Sequence, residues 1–217
     1  MLAIDWYFDF ISPYAYFQFQ RLKEFERYGE LRLHPVLFAG LLKAWEHKGP
    51  AEIPKKRSFT YRHATWYARQ HNIPFKVPPA HPFAPLPLLR LAHAQDSRFE
   101  VVDTVFNFIW RDGMAPGEPD VFMALSASVG VPDPETVLGE DIVKRSLREA
   151  TDDAIGHGIF GVPTVMIDGE LFWGADATDM ALDFVRGEPA MRDEEMNRVA
   201  NLPVEVHRKA SHLSVVK

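Results

Sequence analysis

Apolar and polar positions alternate at the start of the chain. Ile4, Trp6, Phe8 and Phe10 fall on one face of an extended segment, the two-residue period of a strand with one face buried. The alternation runs into Ser12-Pro13. Serine is a favoured helix N-cap and proline is favoured at the first helical position, so a helix is predicted from Pro13 to Tyr28, closed by Gly29. A second strand is expected over Leu31 to Phe38. Pro35 lies within it and cannot donate to a ladder, which places that strand at a sheet edge. Strand, helix, strand makes one parallel βαβ unit.

From residue 39 to about 157 the period becomes helical. Leu41, Leu42 and Trp45 share a face, as do Phe59, Ala64, Tyr67 and Ala68. Further helices are predicted over Leu86–Ala94, Phe99–Trp110, Val121–Val129 and Glu135–Ala154. X-Pro pairs such as Ile53-Pro54, Ile73-Pro74, His81-Pro82 and Val131-Pro132 mark the breaks, because proline disfavours helix at the residue before it. Strand signals return in the apolar run Gly161–Ile167. Asp168-Gly169 predicts a tight hairpin turn, with Glu170–Trp173 pairing back. A final helix opens at Gly174-Ala175-Asp176 and closes at Gly187; a more polar helix and tail follow.

The order β-α-β, helical block, β-β-α predicts an α/β thioredoxin-like fold with a large all-helical insertion. The boundaries read as 1–38 plus 158–190 for the thioredoxin-like part, 39–157 for the insertion and 191–217 for a C-terminal extension. At 217 residues the chain is long enough for a full core. Its 24 basic and 30 acidic residues argue against nucleic acid as a partner. No apolar run is long enough to span a bilayer, and no charged segment with an apolar stretch behind it opens the chain, so a cytoplasmic location is the expectation.

The chain contains no cysteine, which excludes disulfide, thiolate-metal and cysteine-nucleophile chemistry of its own. The nine histidines show no metal-ligand spacing, so no metal site is expected. Ser12 lacks a Gly-x-Ser-x-Gly elbow, which weakens a serine-hydrolase reading. Taken alone, Ser12 and Asp176 read as helix caps, and Lys55-Lys56-Arg57 as a solvated face. Phe106, Phe108 and Trp110 read as core, with some of them open to a pocket role.

Three segments change that reading: Asp9-Phe10-Ile11-Ser12-Pro13-Tyr14-Ala15-Tyr16, Gly161-Val162-Pro163-Thr164 and Phe172-Trp173-Gly174-Ala175-Asp176. In order and separation they resemble the 2-hydroxychromene-2-carboxylate isomerases, which are similar to kappa-class glutathione transferases and share the DsbA-like fold. The resemblance implies a glutathione site. Ser12 would hydrogen-bond the glutathione sulfur and support catalysis. Pro163 would be a cis-proline, leaving the Val162 backbone to pair with the glutathione peptide. Asp176 would hold the γ-glutamyl end, and one of Lys55, Lys56 or Arg57 would meet a carboxylate of glutathione or substrate. Ala84 and Ala177 depart from the family pattern, which has asparagine and arginine there.

The activity so implied is glutathione-dependent cis–trans isomerisation of an unsaturated aromatic 2-oxo or hemiketal acid by reversible thiolate addition. The pocket would lie between Ser12 and the insertion. A kappa-like glutathione transferase and a redox-inactive DsbA-like binding or chaperone module are the alternatives. The partner expected is a small aromatic molecule, with neither nucleic acid nor membrane, and a homodimer is left open.

Overall fold

The computed structural model describes residues 1–205; residues 206–217, the end of the anticipated extension, lie outside the described residues. Four strands form one mixed sheet in the order β2-β1-β3-β4: β1 Leu2–Phe8, β2 Gly29–Pro35, β3 Thr164–Ile167 and β4 Glu170–Trp173. β1 and β2 are parallel, with Leu2 opposite Gly29 and Phe8 opposite Pro35. β3 runs antiparallel to both β1 and β4. β2 is an edge strand, as Pro35 requires, and the proline sits at its last position. Asp168 and Gly169 both take positive φ, 51° and 84°, the geometry a two-residue hairpin needs.

α1, Pro13–Phe19, is much shorter than the sequence led one to expect, and a 3-10 turn over Leu22–Phe25 follows it. Gly29 does not cap that helix. It opens β2, where a Cβ would collide with the Leu2 carbonyl of the paired strand. The glycine signal was real, but it marks close backbone approach. Strand β2 accordingly begins and ends earlier than Leu31–Phe38, and Phe38 starts a helix.

Between β2 and β3 lie α2 Phe38–Ala44, α3 Pro54–Gln70, α4 Leu86–Ala94, α5 Phe99–Phe106, α6 Pro119–Ser128, α7 Pro134–Gly139 and α8 Asp141–Gly156. The continuous helix anticipated over Glu135–Ala154 is broken at Glu140, whose extended backbone (ψ 138°) caps α8. After α5 the chain widens into one π-helical turn, Asn107–Arg111. α9, Thr178–Arg186, ends at Gly187 in the left-handed conformation, and α10 spans Glu194–Ala200. No helix among the described residues is long and apolar enough to cross a membrane.

One core joins the sheet to the helical segment. Trp6 and Phe8 stack at 4.3 Å, Phe8 meets Phe10 edge-on at 5.3 Å, and Phe106 of α5 packs against Phe10 at 4.8 Å and Phe19 at 5.3 Å. All five rings are buried. Burying a large side chain contributes about 1.5–3 kcal/mol, and aromatic pairing adds about 0.5–1.5. The end of β1 is therefore fixed by the aromatic cluster beneath it. The opposite sheet face packs Tyr7, Leu41, Ala154 and Ile159 into a smaller cluster.

Candidate active site

The turn joining β1 to α1 is held at every residue. Asp9 is fully buried, and its carboxylate accepts from the backbone N–H of Ile11 (3.1 Å) and of Phe38 (2.9 Å). The Asp9 carbonyl accepts from Ser12 N–H at 3.1 Å. Trp110 donates its indole N–H to the Phe10 carbonyl at 2.9 Å. His81 Nε2 lies 2.8 Å from the Ile11 carbonyl, an acceptor only, so that nitrogen carries the proton. Burial pushes the Asp9 carboxyl up to about 7, opposed by its two backbone donors, and pushes the His81 imidazole down.

Ser12 is the N-cap of α1, with φ −93° and ψ 116°, and its Oγ accepts from Ala15 N–H at 3.2 Å. That bond uses a lone pair and leaves the hydroxyl proton available to a ligand. The side chain is partly exposed, so a ligand can reach it.

The Val162–Pro163 peptide is cis. Strand pairing stops one residue later, with Thr164 opposite Tyr7. Among the described residues no hydrogen bond takes the backbone N–H or C=O of Val162, although the residue is buried. An unpaired backbone donor and acceptor side by side are the fittings for one further extended strand.

Asp176 lies in the short turn Ala175–Ala177 ahead of α9, with an exposed side chain. Its negative charge, after the larger effect of burial, raises the phenol pKa values of Tyr14 and Tyr67. What ties this turn to Ser12 is Gln18, a residue that sequence reasoning passed over. The Gln18 side chain accepts from Trp6 Nε1 at 2.8 Å and donates to the Gly174 carbonyl at 3.0 Å and to Thr178 Oγ1 at 3.1 Å. Gly174 N–H in turn donates to the Pro163 carbonyl at 2.8 Å. Helix α1, the Pro163 loop and the Asp176 turn thus form one hydrogen-bonded unit. The only sequence signal for this was a glutamine at a position whose helical neighbours, Phe17 and Phe19, are apolar.

Lys55, Lys56 and Arg57 occupy the exposed first turn of α3. Of the three, Arg57 is electrostatically coupled to the site's surroundings, since its charge partly offsets the burial that raises the Tyr61 pKa. The Tyr61 hydroxyl lies 2.8 Å from His81 Nδ1, completing a path from α3 to the Ile11 carbonyl. A second path runs from His63 of α3, whose Nδ1 is 2.9 Å from the Tyr14 hydroxyl. Neither tyrosine–histidine pair was evident from the sequence, because 49 and 20 residues separate the partners. Phe106 and Trp110 are fully buried and Phe108 is partly buried, all in the main core.

The segments that carry a hydroxyl free to donate, an unpaired backbone edge and an exposed carboxylate are thus tied together. A model of the DSBA-like thioredoxin domain matches residues 3–186. The chain belongs to this family. It is 29% identical over 222 residues to the glutathione S-transferase kappa 2 of Caenorhabditis elegans, covering 90% of this chain and 97% of that protein. It is 28% identical over 196 residues to a 2-hydroxychromene-2-carboxylate isomerase of a Pseudomonas strain, covering 87% and 92%. The solved structure of a 2-hydroxychromene-2-carboxylate isomerase superposes with a TM-score of 0.72 at 24% identity, covering 89% of this chain and 98% of that one, which establishes the shared fold.

Proposed function

We propose that this chain is a glutathione-dependent isomerase acting on an unsaturated aromatic 2-oxo or hemiketal acid of the 2-hydroxychromene-2-carboxylate type. The observation that supports the reading is the Gln18-tied unit: in a chain without cysteine, it holds together the segments that carry Ser12, Pro163 and Asp176. Glutathione supplies the nucleophile, a thiolate that adds reversibly to a conjugated carbon and frees a double bond to rotate. Ser12 donates its hydroxyl proton to the sulfur while Ala15 N–H polarises its oxygen. Val162 pairs with the peptide backbone, and Asp176 binds the γ-glutamyl ammonium group. One of Lys55, Lys56 and Arg57, on the exposed first turn of α3, meets a carboxylate of glutathione or substrate. The compartment that suits this reading is the cytoplasm, and the setting is aromatic catabolism.

The kappa transferase relative favours a second reading, in which the glutathione adduct is itself the product. The test is calorimetry and product analysis together. Glutathione should bind in a single saturable step, and Asp176→Ala should weaken that binding by about two- to fivefold, the loss of one exposed ion pair. Incubation with 2-hydroxychromene-2-carboxylate should then yield the trans isomer with no net loss of glutathione. Consumption of glutathione would favour the transferase. No binding at millimolar glutathione would leave only a redox-inactive binding module.

A further inference from the structure

The first turn of α1 carries a second polar group two residues beyond Ser12, the hydroxyl of Tyr14. It is half-buried and its strong partner is His63 Nδ1, 2.9 Å away on α3. His63 lies between two rings that the fold leaves uncovered. Phe59 stacks on it at 5.7 Å and 24°, and Trp66 lies 5.6 Å away at 42°. Phe59 and Trp66 are 65% and 55% exposed, which for rings of this size two turns apart on a helix, with His63 between them, makes an apolar shelf open to solvent. Burial and the charge of Asp176 both raise the Tyr14 pKa, which keeps the phenol protonated and a donor.

These observations fit together chemically, and the inference rests on the glutathione-dependent reading above. When the thiolate sulfur bonds to the conjugated carbon, the C=C electron pair shifts and the carbonyl oxygen becomes an enolate oxygen. Elimination reverses both changes, so no proton and no redox equivalent is gained or lost. The cost of the step is the charge on that oxygen, and a hydrogen-bond donor aimed at it lowers the barrier. We propose that Tyr14 is that donor, that the Phe59–His63–Trp66 shelf seats the flat conjugated body of the substrate, and that His63 is a positioning residue. With its proton on Nδ1, His63 donates to the Tyr14 oxygen, so the phenol proton points to the substrate and the two bonds reinforce one another.

The experiment uses 4-nitrophenol, a flat oxyanion whose visible absorption reports its ionisation. The wild-type protein should bind the phenolate more tightly than the phenol and lower its pKa. Tyr14→Phe should weaken phenolate binding by about ten- to a hundredfold, the value of a hydrogen bond to a charge, and abolish the pKa shift. His63→Phe keeps an aromatic ring on the shelf but should reproduce the Tyr14→Phe spectrum, whereas His63→Gln, which retains a donor, should restore part of the shift. Trp66→Ala should weaken phenol and phenolate alike. In the isomerase assay, Tyr14→Phe should lower kcat by about a hundredfold with the KM for glutathione unchanged. Equal phenolate affinity in wild type and Tyr14→Phe, or no binding by wild type, overturns the proposal. Wild-type phenolate binding that depends on Tyr14, in a protein that fails to bind glutathione, would instead sink the glutathione reading while the oxyanion site stands.

Discussion

Replacing Ser12 with alanine isolates the thiol-activating group. A free thiol titrates near about 8.5, and lowering that by two units requires about 2.7 kcal/mol. α1 is only seven residues long, so its terminus contributes about 0.3–1 kcal/mol, under one pKa unit. The Ser12 O–H to a thiolate contributes about 1.5–3 kcal/mol, one to two units. Bound glutathione should therefore titrate near about 6.5 in the wild type and near about 8 or above in Ser12→Ala. At pH 7 the thiolate fraction falls by about eight- to twenty-fivefold, and isomerase activity should fall with it. At pH 9 most of the loss should be recovered. Ala15 N–H also loses its cap acceptor, a cost of about 1 kcal/mol in stability, so the variant should still fold. The assay is ultraviolet titration of thiolate absorbance in the bound complex. Equal pKa values in the two proteins would reduce Ser12 to a helix cap and refute the reasoning.

Gln18→Leu fits the space but leaves Trp6 Nε1 without a partner and removes a donor each from Thr178 and from the Gly174 carbonyl, which keeps the Ala177 N–H. At about 1–3 kcal/mol for the orphaned indole N–H, the melting temperature should drop by about 2–12 °C and the KM for glutathione should rise; an unchanged melting temperature would show that the tie is not structural. Asp9 has its pKa raised from 3.8 to about 7, so the folded protein holds a proton that the unfolded chain releases. Its contribution to stability is unpenalised below about pH 4, is lost progressively as pH rises toward 7, and is constant above that, a swing on the order of 3–4 kcal/mol. Denaturant unfolding of wild type against Asp9→Asn should show the wild type losing ground across that window, and parallel pH profiles would disprove it.

Much of the fold was readable along the chain because its signals are local. The two-residue period of Ile4, Trp6 and Phe8 announces a half-buried strand, Ser12-Pro13 announces a helix start, and Asp168-Gly169 announces a hairpin. Each depends on backbone preferences that a few neighbouring residues settle. Element ends were less legible. A glycine permits either a helix terminus or a close backbone approach, and only the partner strand at Leu2 decides which role Gly29 takes. The same holds at Glu140, where helical periodicity continues through a break that the packing of α7 and α8 imposes.

Ser12, Val162, Pro163 and Asp176 were singled out from three separate segments, and no segment by itself states how the three are tied together. What ties the segments is Gln18 of α1, which bonds β1 and the turn before α9 at once. The Tyr14–His63 and Tyr61–His81 pairs likewise join residues far apart in sequence. Their worth comes from geometry and burial, quantities that belong to the packed chain. The sequence determined the elements and the chemical groups available; the tertiary structure decided which groups face one another, because a hydrogen bond depends on distances of a few tenths of an ångström that no local preference specifies.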